Sequence, residues 1–242
     1  MTHSPLPLIA VLFPLLGAVL VLATGARRAN LRELCTMLAS AGQFAAVLSM
    51  LPRVIRGQTL TCTMLPLGPG LALELRVDPF GMIFALLSSF LWIVVSVYSI
   101  GYMRSLQEHA QTRFYFCFAM ALAGASGVAL SGNLITLYMF YEILTVATFP
   151  LVAHKETPEA IRAARKYLVY LLGGAVVVLF AIAATYCLTG SLDFVAGGFV
   201  GGSGSADLLR VIFAAFIIGF GTKAAIMPLH EWLPSAMVAP TP

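Results

Sequence analysis

The sequence predicts an all-α, polytopic transmembrane helix bundle of about seven helices, the last one broken, with the N-terminus outside. Three observations predict it. Hydrophobic residues make up 60% of the chain and charged residues only 10%, at a mean hydropathy of +0.95, where a soluble domain carries about 25% charged residues. Apolar stretches recur along the chain at the length, roughly 20 residues, that a helix needs to cross a bilayer core. Basic residues gather in alternate loops.

The charge-free stretches run over Leu6–Ala26, Leu34–Pro52, Pro79–Met103, Phe114–Ser131, Leu134–Ala153 and Tyr167–Gly190, and a last one from Val211 to Leu229 is broken only by Lys223. Gly, Pro or charged residues separate them. The first is read as a retained helix and not a secretory signal, because Met1–Pro5 holds no Lys or Arg and Arg27 and Arg28 follow the apolar run. With the N-terminus outside, the cytoplasmic loops hold Arg27, Arg28, Arg32, Arg104, Arg113, Lys155, Arg162, Arg165 and Lys166, against Arg53, Arg56, Arg76 and Arg210 on the other side. The positive-inside rule favours that arrangement.

Two outer loops differ from the rest. Residues 53–78 are punctuated by Pro and Gly, and the alternation of Leu71, Leu73, Leu75 and Val77 suits a short strand or hairpin lying on the outer surface. Residues 190–207 hold Gly190, Gly197, Gly198, Gly201, Gly202 and Gly204 with Ser203 and Ser205, and lack the G-x-x-x-x-G-K-[ST] of a phosphate loop. They are read as a flexible outer turn. The formal charge of +4 comes from few groups, and no Lys/Arg-rich block implies a nucleic-acid partner. Cys35, Cys62, Cys117 and Cys187 form no C-x-x-C pair, so no metal site, disulfide framework or cofactor is expected; the apolar composition makes the lipid bilayer the expected surrounding.

Glu142 is the most informative residue. It lies near the middle of Leu134–Ala153, a run otherwise free of ionisable residues. A carboxylate there costs on the order of 2.5–3.5 kcal/mol on insertion scales, and such groups face an interior or a water path. The second informative element is Thr222–Pro234, where Pro228 and Pro234 each remove a backbone donor and a regular helix should be interrupted between them. Interrupted membrane helices persist where protein or a cavity satisfies the freed backbone. Lys223, His230 and Glu231 cluster around that break, an arrangement common at ion-translocating sites. The bland alternative has Lys223 snorkelling to an interface and His230, Glu231 and Trp232 marking the membrane boundary.

TKAAIMPLHEWLPSAMVAPTP, NLITLYMFYEILTVATFPLVAHKETPEAIRAARKYLVYLL and VDPFGMIFALLSSFLWIVVSVYSIGYM resemble the antiporter-like membrane subunits shared by respiratory complex I, Mrp-type Na⁺/H⁺ antiporters and energy-converting membrane-bound hydrogenases, the Mrp D-type and hydrogenase-linked members more than the mitochondrial ones. The resemblance implies that Glu142 is the glutamate of the fifth helix and Lys223 the lysine of the broken seventh helix, interacting electrostatically to modulate proton transfer. It places His230 as a proton relay, and Glu231 and Lys166 are kept as accessory candidates beside these three. A carboxylate near a buried lysine favours the charged pair, so moving Glu142 away would push a proton off Lys223. In the family an eighth helix with a further ionisable residue and an inverted repeat follow the A-P-T-P segment. Here the sequence ends at Pro242, so by that comparison it resembles an N-terminal portion.

Residues 1–78 are therefore expected to form two N-terminal helices plus an outer loop, and residues 79–242 an antiporter-like proton-translocation domain incomplete at its C-terminus. The expected role is a proton or cation half-channel in a multisubunit oxidoreductase or antiporter of the cell inner (plasma) membrane, moving H⁺ or Na⁺ and carrying no redox or catalytic centre itself. The alternatives are a structural scaffold in which Glu142 and Lys223 form an inert pair, a non-functional truncated fragment, and an unrelated secondary transporter for a small anion.

Overall fold

In a computed structural model, residues 2–68, 70–198, 200–201 and 204–240 are described. The element order is β1 (Thr2–His3), α1 (Leu6–Thr24), α2 (Ala29–Ile55), β2 (Leu60–Gly68), β3 (Leu71–Val77), α3 (Pro79–Ser105), α4 (Gln111–Ala129), α5 (Leu134–Val152), α6 (Pro158–Thr189), α7 (Ala206–Lys223) and α8 (Trp232–Val238). The chain is mostly helical, and the expectation of an all-α bundle is corrected by a small sheet. β2 and β3 pair antiparallel from Leu60↔Val77 outward, and β1 adds parallel to β2. The alternation of Leu71–Val77 thus belongs to a real strand.

Among the described residues six helices, α1 to α6, are long and apolar enough to cross a membrane, judged by length and composition. The expectation of about seven changes at α7, whose 18 residues include Asp207, Arg210 and Lys223. Several helices also start earlier than their charge-free stretches. α2 begins at Ala29 and keeps Arg32 and Glu33 buried, because each has a partner on another helix. Arg32 donates to Gln111 Oε1 at 2.6 Å and Thr112 Oγ1 at 3.2 Å, and Arg104 pairs with Glu33. α6 begins at Pro158, nine residues before its apolar run, since Thr157 accepts from the Ala160 N–H and Pro158 suits the first turn. Asp78, Asn133 and Ser205 cap α3, α5 and α7 in the same way.

The loops sort to two ends of the bundle. At one end Arg104, Arg113 and Glu33 tie the connections after α1, α3 and α5 to one another. At the other, the hairpin seats on the α4–α5 turn: Arg76 donates its N–H to Leu130, Gly132 donates to Glu74, and Asn133 Nδ2 donates to Ala72. The α6–α7 connection was expected to be a flexible turn. Gly202 and Ser203 lie outside the described residues, but Leu192 is buried, its carbonyl accepts from Leu134, and Arg76 Nη1 donates to the Phe194 carbonyl at 2.7 Å. Its first residues are anchored.

Small residues set the helix spacing that positions α7. In lipid, helices associate through close packing more than through the hydrophobic effect. A Cβ on Gly174 of α6 would come within 3.0 Å of the Gly219 carbonyl, and one on Gly219 within 2.9 Å of the Gly174 carbonyl. Neither helix can carry a side chain at that crossing, and Lys223 lies about one turn beyond it.

Candidate functional site

α7 ends at Lys223, and residues 224–231 are not helical before α8 resumes at Trp232. The interruption was expected between Pro228 and Pro234 and instead begins four residues before Pro228. The reason is local: a proline ring clashes with the carbonyl four residues back, here that of Ala224. Pro234 falls in the first turn of α8, where a missing N–H costs nothing. Ala225 closes the end of α7 in the left-handed region, at φ 56°.

The freed backbone groups find protein partners. Ala224 and Ile226 donate their N–H groups to the carbonyls of Phe220 and Gly221, and Leu229 donates to Ile226. The Trp232 indole Nε1 donates to the Thr222 carbonyl at 2.8 Å, and its ring meets Tyr167 edge-on at 5.4 Å. Trp232 is buried. It staples the two halves of the broken helix together.

Lys223, on the last residue of α7, reaches across to α5. Its Nζ donates to the Tyr141 carbonyl at 2.9 Å and to Thr145 Oγ1 at 2.9 Å, and stands 3.6 Å from the centre of the Tyr141 ring. A cation at a helix C-terminus is also favoured by the helix dipole. The resemblance implies an electrostatic interaction between Glu142 and Lys223; among the described residues no ion pair joins the two, and the ammonium is held by Tyr141 and Thr145. Successive helical residues point about 100° apart, so the Tyr141–Thr145 face that meets Lys223 is turned away from Glu142.

Glu142 occupies the middle of α5 and lines an apolar cavity of about 470 Å³ between α4 and α5, with Phe116, Cys117, Met120, Ile143, Val146, Ala147 and Pro150. Its Oε1 is buried without a hydrogen-bond partner. His230 sits in the break, half-buried, with Nδ1 likewise unpartnered. Glu231 and Lys166 meet directly: Lys166 Nζ donates to Glu231 Oε1 at 2.6 Å, and the Tyr170 hydroxyl donates to Oε2 at 3.1 Å.

Hydroxyl groups not singled out from the sequence lie between these charges. Thr145 is fully buried, and one turn along α5 the Thr148 hydroxyl is 2.5 Å from that of Tyr167 on α6. The signal was present as spacing: Tyr141, Thr145 and Thr148 recur at i, i+4 and i+7, one face of a helix. Glu142 drew attention because it is charged. The neutral hydroxyl stripe beside it did not.

Comparison with known proteins agrees with this architecture. Residues 131–242 match the NADH:quinone oxidoreductase/Mrp antiporter transmembrane family, and residues 66–115 match the N-terminus of chain 5 of NADH-ubiquinone oxidoreductase (complex I). The chain belongs to this family of antiporter-like membrane subunits. It is a multi-pass membrane protein. The D-type Na(+)/H(+) antiporter protein of Bacillus subtilis (strain 168) is 27% identical over 238 residues, covering 96% of this chain and 47% of that relative. Among solved structures, a chain of the membrane-bound sulfane sulfur reductase, an archaeal respiratory membrane complex, aligns with TM-score 0.83 at 21% identity over 98% of this chain and 48% of its own length. A chain of the Mrp complex from Dietzia sp. DQ12-45-1b aligns with TM-score 0.80 at 21% identity over 96% of this chain and 43% of its own. These structural likenesses speak to the fold. This family member spans about half the length of each of the three.

Proposed function

We propose that this chain contributes a proton or cation half-channel to a multisubunit complex in the cell inner (plasma) membrane, with Lys223 as the charge that gains and loses a proton. The observation that carries the reading is the placement of Lys223 on the last residue of a helix that stops at a break, with its ammonium on the Tyr141 carbonyl and Thr145 hydroxyl of α5. Thr145, Thr148, Tyr167 and Tyr170 each carry a hydroxyl that both donates and accepts, and together they lead from Lys223 toward Glu231 and Lys166. His230, beside the break, is a relay candidate on the same flank.

Glu142 acts in this reading as the movable counter-charge. A carboxylate approaching the ammonium holds its proton in place, and one withdrawing releases it. The unpartnered Oε1 beside an apolar cavity suits a group free to change position. The path lies within residues 79–242, with residues 1–78 flanking it, and the loops after α1, α3 and α5 face the cytoplasm.

The test is ion flux through the assembled complex in proteoliposomes. Lys223→Ala is expected to abolish coupled movement while Lys223→Arg, which keeps the charge, assembles normally. Unchanged flux in a well-assembled Lys223→Ala complex would end the proposal.

A further inference from the structure

At the end of the bundle where the α3–α4 and α5–α6 connections meet, three side chains converge that take no part in the proposed path. Glu108 and His109 lie in the short turn between α3 and α4, and His154 lies just past the end of α5. Glu108 Oε2 is 3.8 Å from His109 Nδ1 and 3.9 Å from His154 Nε2. One ligand atom from each residue lies within 4.8 Å of the others.

His154 is the unusual member. It is 1% exposed, yet neither Nδ1 nor Nε2 has a hydrogen-bond partner. A neutral imidazole carries one N–H donor and one lone pair, and folds rarely bury both nitrogens unused. The ring is held by Phe114 edge-on at 5.9 Å and by His109 at 5.0 Å, while Arg113 Nη2 fixes its backbone through the His154 carbonyl at 3.0 Å. The Arg113 charge would oppose a cation, but it is paired with Glu156. Burial first, then His109 and Arg113, push the His154 imidazole below its ordinary range.

We propose that Glu108, His109 and His154 form a binding site for a divalent transition-metal cation of the zinc class, bridging the α3–α4 turn to the end of the helix that carries Glu142. Two imidazole nitrogens and one carboxylate oxygen are a donor set for Zn²⁺ with a fourth position left to water, whereas Mg²⁺ and Ca²⁺ require mostly oxygen ligands. Zn–N and Zn–O bonds of about 2.0–2.2 Å in a tetrahedron place neighbouring ligand atoms roughly 3.3–3.4 Å apart. The observed separations exceed that by about half an ångström on two edges. The His109 side chain is 48% exposed, so rotation there, with a small adjustment of Glu108, brings the set to bonding distance around the fixed His154.

The experiment is calorimetric titration of the full chain in lipid nanodiscs with Zn²⁺ alone, followed by X-ray absorption at the zinc edge. One equivalent is expected to bind with two imidazoles in its shell, in the presence of excess Mg²⁺. His109→Ala and His154→Gln should each weaken binding by at least about tenfold, while His230→Ala leaves it unchanged. His109→Ala alters an exposed side chain, so its fold, checked by helical circular dichroism, does not confound the result. Equal affinity in wild type and His109→Ala, displacement by Mg²⁺, or no binding to the folded wild-type chain would each overturn the assignment.

Discussion

Replacing Thr145 by Val deletes one acceptor of the Lys223 ammonium together with the hydroxyl's own bond to the Tyr141 carbonyl at 3.0 Å, and keeps the shape, since the two side chains are nearly isosteric and Thr145 is fully buried. A hydrogen bond to a charged group contributes about 1.5–3 kcal/mol net. Lys223 keeps its bond to the Tyr141 carbonyl and its place over the Tyr141 ring, so the loss should fall at the lower end, about 1.5 kcal/mol. The measurement is a double-mutant cycle with Lys223→Met, reading the unfolding free energy in mixed micelles by far-ultraviolet circular dichroism. Thr145→Val should cost about 1.5 kcal/mol more when Lys223 is present than when Met replaces it, because in the Met background no cation is left short of a partner. A Thr145→Val cost that is the same in both backgrounds would mean that Lys223 does not depend on this hydroxyl, and the crossing from α7 to α5 would lose its central contact.

Glu142→Gln removes a charge from an apolar setting, so insertion and assembly should persist while coupled ion movement in proteoliposomes falls by a large factor; normal flux in a well-assembled variant would count against the counter-charge role. Gly219→Val places a side chain against the α6 backbone at Gly174 and Val178, and overpacking of this kind costs about 1–3 kcal/mol; it should lower thermal stability and flux together, whereas Gly173→Ala, at a position with open space, should lower neither. Arg113 holds the Glu156 carboxyl below its ordinary range, through a hydrogen bond first and charge second; a depressed folded-state value means that the stabilisation is complete above the ordinary carboxylate pKa of about 4.3 and is lost as pH falls through the lower folded value. The difference in melting temperature between wild type and Glu156→Gln should therefore shrink on acidification, and a constant difference would refute the pairing. With a background lacking native cysteines, Lys155→Cys should react with an impermeant maleimide only from the cytoplasmic side and Thr63→Cys only from the other; the reverse pattern would invert the orientation.

Periodicity and charge made much of the fold legible, but not where the helices end. Thr157 and Pro158 extend α6 outward past Lys166, and the partners Gln111, Thr112 and Arg104 let α2 keep Arg32 and Glu33 inside its span. A sequence window penalises those charges because it cannot see what answers them. The α7 break shows the same limit, since the prolines announced an interruption whose starting point was decided by the ring's clash one turn upstream.

The sequence by itself determined that this chain crosses a membrane several times and that Glu142 and Lys223 stand out as charges in apolar runs, because hydropathy and charge are properties of composition that survive any arrangement of helices. Which groups those two residues touch was decided only in three dimensions. Lys223 meets the Tyr141–Thr145 face because glycines at 174 and 219 let α6 and α7 cross closely and because neighbouring positions on α5 point about 100° apart. That rotation turns Glu142 toward the α4 cavity instead, and the gathering of Glu108, His109 and His154 from loops more than forty residues apart follows from the same packing.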